Sequence, residues 1–202
     1  MSEYEPVFGA RAVTDRGDLE AARSLFARAS RPYLTSPVPW CAWALVLPAA
    51  ALATRSVAGA AGAPGVLGLW SGAIVLGGAV EIAFLLRARR HQSGNALGSW
   101  AMTSQGNLSL VAVALSAALV FAGHAELLPG LWLLLLGHSL FTLGGLAFRP
   151  QRTAGVFYQV GGACALLPGA PALAIFAAAT ALGNLWVAVG VARRPVERLP
   201  GR

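Results

Sequence analysis

The chain has 202 residues, of which 56% are hydrophobic and 11% charged, and its net charge is +7. A soluble domain carries about 25% charged residues and shows water a partly polar exterior. These proportions argue against a soluble globular protein and for a single membrane domain. All the basic residues are Arg. No basic stripe with interleaved aromatics is present, so the positive charge does not indicate nucleic acid.

Residues 1–38 form a polar head. Asp15 or Asp18 is placed to cap a short helix on which Leu19, Ala22, Leu25, Phe26 and Ala29 share one face. Glu20, Arg23, Ser24 and Arg28 lie on or near the other face, and Pro32, Pro37 and Pro39 end the helix. Such an amphipathic helix either rests on the membrane surface as an anchor or docks a cytosolic protein. In the second case Leu19, Leu25 and Phe26 are the partner-binding residues. The head carries five acids (Glu3, Glu5, Asp15, Asp18 and Glu20), so no cleavable signal peptide is expected.

Six apolar stretches follow, at 39–54, 66–86, 96–122, 127–148, 153–167 and 171–192. Roughly 20 helical residues cross a hydrocarbon core of about 30 Å, so the pattern predicts an all-α integral membrane bundle of six transmembrane helices. The first and fifth stretches are short, and Pro48 is expected to kink the first. Residues 193–202 form an Arg-rich tail. Arg11, Arg16, Arg23, Arg28 and Arg31 precede the first stretch, and Arg87, Arg89 and Arg90 follow the second. Arg149 and Arg152 follow the fourth, and Arg193, Arg194, Arg198 and Arg202 follow the sixth; Arg55 alone falls on the other side. Arginine collects on the cytoplasmic side. This asymmetry predicts both termini in the cytoplasm of a bacterial inner membrane.

Ionisable and amide side chains at bilayer depth are functional candidates by default. Counting back from the nearest cytoplasmic arginine at 1.5 Å per residue places Glu81 about 9 Å and His138 about 16 Å inside. Gln159, Asn107 and Asn184 fall at comparable depth, with Thr103, Ser104, Gln105, Thr142 and Tyr158 near them. Facing inward, Glu81, His138, Gln159, Asn107 and Asn184 would form one polar layer in the cytoplasmic half. The layer is either interhelical hydrogen bonding or a binding or ion pathway; Glu81 is also placed to snorkel or to pair with Arg149. His138 has no second histidine at its depth for haem, and no metal-ligand cluster, GxSxG or HExxH is present. No cofactor and no enzymatic activity are therefore expected. Cys41 and Cys164 read as buried free thiols.

Gly68 and Gly72 make a GxxxG, and Gly77–Gly78, Gly144–Gly145 and Gly161–Gly162 add further notches for close helix approach. Thr103-Ser-Gln-Gly-Asn-Leu108 shares Thr, Gly, Asn and Leu with Thr180-Ala-Leu-Gly-Asn-Leu185. The match suggests a three-plus-three inverted repeat of the kind transporters use. Low-complexity apolar sequence is the competing source of the same similarity.

A short cytosolic head on a six-span bundle resembles the layout of membrane-embedded regulators, among them bacterial multi-pass anti-sigma factors. That resemblance implies a regulator or scaffold that sequesters a cytosolic protein at the membrane. A small-solute or ion transporter or channel using the polar layer is the alternative. An accessory subunit of a larger membrane complex, or a homo-oligomer, is a further one.

Overall fold

The computed structural model describes residues 36–89 and 96–193. Among them there are helices and no strands: α1 (Val38–Arg89), α2 (Ala96–Phe121), a 3-10 turn (Ala125–Leu127), α3 (Leu128–Ala147), α4 (Arg149–Ala165) and α5 (Ala172–Ala192). Four segments are long and apolar enough to cross a membrane: most of α1, residues 103–121 of α2, residues 125–144 and α5. The sequence expectation placed a span at 153–167. Helix α4 instead begins earlier, carries Arg149, Gln151 and Arg152 in its first turn, and is amphipathic, with Gln151, Ala154, Gly155, Tyr158, Gly162 and Ala165 on its buried face. Residues 1–35 of the head, with Leu19, Leu25 and Phe26, residues 90–95 and residues from 194 onward lie outside the described residues.

Helix α1 has 52 residues. A straight helix of that length would reach about 78 Å, more than twice the hydrocarbon core. It does not run straight, because Gly62 leaves the helical region with φ 62° and ψ −157°. A positive φ costs glycine little, and Pro64 suits the first turn of the helix that resumes. Trp43 Nε1–H donates to Glu81 Oε2 at 2.9 Å, and Trp70 Nε1–H donates to Thr54 Oγ1 at 3.1 Å. Along a straight helix Trp43 and Glu81 would stand about 57 Å apart. Thus α1 is two antiparallel arms, 38–61 and 63–89. The expected loop after residue 54 is helical, Arg55 included, and Pro48 sits within the helical run; the sharp break belongs to Gly62.

Helices α2 and α3 make a second hairpin, turned at Gly123 with φ 79°. His124 and Glu126 form an exposed ion pair there, 3.3 Å apart. In this hairpin Trp132 Nε1–H donates to Ser116 Oγ at 3.0 Å, and Ser116 bonds back to the Ala112 carbonyl. In the first hairpin Trp70 donates to Thr54, which bonds back to the Ala50 carbonyl. Ala50, Thr54 and Trp70 therefore map onto Ala112, Ser116 and Trp132, each 62 positions later, and Gly68-Leu-Trp recurs as Gly130-Leu-Trp. The same offset carries the Trp43–Gly77 contact onto the Gln105–Ser139 contact. Contacts thus repeat from hairpin to hairpin in the same sense. The residues matched by the expected three-plus-three repeat lie in unlike places: Asn107 is exposed and Asn184 buried.

Trp70→Phe and Trp132→Phe each delete one indole donor. Each is expected to cost about 0.5–1.5 kcal/mol, and the two costs should add within about 0.5 kcal/mol in the double variant. Unfolding in mixed micelles measures this; a large cost from one and none from the other would contradict the equivalence of the hairpins.

Helix α5 is central: α1 and α4 both pack against it, and α4 packs most extensively against α3. One core joins Ala51, Leu133, Tyr158, Phe176, Ala177 and Ala179, with Trp70 edge-on to Phe176 at 5.6 Å. A second joins Phe148, Ala154, Val187 and Val191 beneath Trp40. Close approach of α3 and α4 follows from glycine. Gly130, Gly137 and Gly144 recur every seven residues on α3 and face α4, where Gly155 and Gly162 receive α3. A Cβ at Gly137 would stand 2.8 Å from the Gln159 amide nitrogen and 2.9 Å from the Gly155 carbonyl oxygen. By contrast, Gly68 and Gly72 have nothing within 4 Å, so the GxxxG makes no contact among the described residues.

Candidate functional site

Among the described residues, no side-chain hydrogen bond joins any two of the five polar residues expected to form one layer. Glu81, on the second arm of α1, is half-buried, and Trp43 is its hydrogen-bond partner. Gly77, one turn before it, provides the seat for the Trp43 ring, which would collide with any Cβ there. The expected pairing of Glu81 with Arg149 is not formed, and the one ion pair among the described residues is His124–Glu126. His138 is exposed. Its neighbours explain this: Gly137 faces α4 and Ser139 faces α2, so the position between them turns outward. Its backbone carbonyl accepts from Thr142 Oγ1 at 2.9 Å.

Gln159 is half-buried, with its backbone amide against Gly137. Asn107 is exposed on the side of α2 turned away from α3. Asn184, on α5, is 4% exposed. It lies beside the Tyr158 hydroxyl of α4, and its Nδ2 has no hydrogen-bond partner. A buried donor without a partner costs about 1–3 kcal/mol. One turn earlier Thr180 is fully buried and returns its hydroxyl to the Phe176 and Ala177 carbonyls.

Sequence reasoning missed the firmest polar contact. Gln105 Nε2–H donates to Ser139 Oγ at 2.6 Å, and Ser139 Oγ–H donates to Gln105 Oε1 at 2.8 Å, so a single amide and a single hydroxyl satisfy each other across α2 and α3. It also missed tryptophan as a donor. The available signal was a hydroxyl residue, then a turn glycine, then Trp 16 residues after the hydroxyl, found twice. The thiols were expected to be buried; Cys41 is half-buried and Cys164 exposed.

No family model matches this chain, and neither does any curated protein or solved structure. Among the described residues no three His, Cys, Asp or Glu side chains gather as a metal site would require. The Arg152 guanidinium is 4.8 Å from the Phe141 ring centroid, a cation–π contact at the arginine-bearing end of α4. An open groove of about 790 Å³ runs between α4 and α5, walled by Val156, Phe157, Val160, Leu182, Trp186 and Val189 among others. Its walls are apolar and none of the five polar candidates lines it. Four side-chain pairs, Trp43–Glu81, Trp70–Thr54, Gln105–Ser139 and Trp132–Ser116, fasten one helical arm to the next.

Proposed function

We propose that this chain is a six-span protein of the bacterial inner membrane, with both termini cytoplasmic, acting as a non-enzymatic scaffold or regulator that holds a cytosolic partner through residues 1–38. Two passes within α1 and a short fifth pass through α4 would make six. An even count keeps the arginines on one side, as the charge distribution requires. The observation that supports a scaffold over a transporter is how the polar groups at depth are used. Glu81 is taken by Trp43, Ser139 by Gln105 and Ser116 by Trp132, each between two adjacent helices. Bonds of this kind hold a bundle together at about 0.6–2 kcal/mol apiece. They do not converge on a shared site.

The reading is tested with the full-length protein in membranes. The variant Leu19→Asp/Leu25→Asp/Phe26→Asp should lose at least tenfold of a soluble protein that co-sediments with the parent, while remaining in the membrane. Retention of that protein by the variant, or capture of lipid alone by the parent, would overturn it. Ion or solute flux abolished by Glu81→Gln in liposomes would favour the transporter instead.

A further inference from the structure

Helix α2 has two faces that differ in what covers them. Gln105, Leu108, Ala112, Ser116 and Leu119 form the face toward α3, which carries both interhelical hydrogen bonds and the only buried residue in 103–121, Ala112. On the opposite side Asn107, Leu110, Ala114, Ala117 and Phe121 follow one another at steps of three and four residues, and all five are exposed. That alternation is the seam of a left-handed helix pair, and a lone Asn in such a seam sets register and favours a defined oligomer. Asn107 makes no side-chain hydrogen bond among the described residues. Rotating α2 to bury it would break the Gln105–Ser139 and Ser116–Trp132 bonds. An amide at bilayer depth without a partner is costly, because lipid chains can neither donate nor accept.

We propose that this face of α2 is the contact surface for a second copy of the chain, the two α2 helices packing in parallel with Asn107 against Asn107. The occupant follows from chemistry and symmetry. Copies inserted in the same orientation are related by a two-fold axis along the membrane normal, which sets each seam residue opposite its own counterpart. An amide is both donor and acceptor, so two Asn107 side chains satisfy each other. Ala114 and Ala117 are small enough to let the backbones approach. The arrangement rests on the membrane reading above but not on the cytosolic partner.

The test is single-cysteine cross-linking of the full-length protein in native membranes, on a Cys41→Ser/Cys164→Ser background. Leu110→Cys, Ala114→Cys and Ala117→Cys should form disulfide-linked dimers; Val111→Cys and Val113→Cys, exposed but off the seam, should not. Asn107→Leu should weaken association in liposomes about tenfold, and Asn107→Gln should recover part of the loss. Uniform or absent cross-linking in protein that resists carbonate extraction would overturn the dimer and leave the membrane reading intact. So would cross-linking at the seam to a different integral subunit. Release by carbonate would overturn both.

Discussion

Gly137→Leu is expected to unfold the α3–α4 pair, costing about 3 kcal/mol or more. Overpacking usually costs about 1–3 kcal/mol because neighbouring side chains can shift to new rotamers. Here the first atoms met are the Gln159 amide nitrogen and the Gly155 carbonyl oxygen, both backbone and both held in helical hydrogen bonds. Relief requires the helices to separate. Separation exposes Leu133 and Tyr158, which the same interface buries. Gly72→Leu is the control, since nothing lies within 4 Å of its Cβ position, and it should be neutral or slightly stabilising through helix propensity. Unfolding of each variant by graded SDS in mixed micelles gives the comparison. A Gly137→Leu protein as stable as the parent would show that α3 and α4 do not pack through this notch.

Trp43→Ala should open the first hairpin at its free end, at a cost of about 3 kcal/mol, whereas Trp43→Phe should cost about 1 kcal/mol. Two effects are separated by the pair. The ring fills the space that Gly77 leaves on the facing arm, and the indole N–H satisfies Glu81. Phenylalanine keeps much of the packing and removes the hydrogen bond; alanine removes both and leaves a half-buried carboxylate without its donor. Glu81→Gln should be close to neutral for stability, because an amide oxygen still accepts from Trp43. A Phe variant as damaged as the Ala variant would mean that the hydrogen bond, and not the ring, holds the arms together.

The extent of two apolar helices was readable to within a residue or two. The stretches at 127–148 and 171–192 differ from α3 and α5 by a residue or two, since an apolar run long enough for the bilayer leaves the backbone no other way to satisfy its polar groups. The stretch at 153–167 misplaced α4. Its first turn is polar, with Gln151 buried against protein and Arg149 and Arg152 exposed, and hydropathy does not distinguish a polar helix start from a loop. The first break was also misplaced, because arginine and small residues after Thr54 suggest a loop, yet helix continues until Gly62.

Position along each helix was legible, and rotation about its axis was not. Glu81, His138, Gln159, Asn107 and Asn184 were grouped by depth, and the structure turns them in different directions. Rotation is decided by which glycines admit a neighbour and which hydroxyls find an indole. Gly137 facing α4 and Ser139 facing α2 leave His138 outside. Gln105 against Ser139 leaves Asn107 outside. The sequence by itself determined the apolar helical character of the chain and the clustering of its arginines between and beyond the apolar runs, because both follow from local composition and length. Only the tertiary structure decided that α1 doubles back, that two hairpins share one pattern of contacts, and which polar residues face a neighbouring helix. Each of those depends on contacts between residues far apart in the chain, and helical periodicity does not specify the partner.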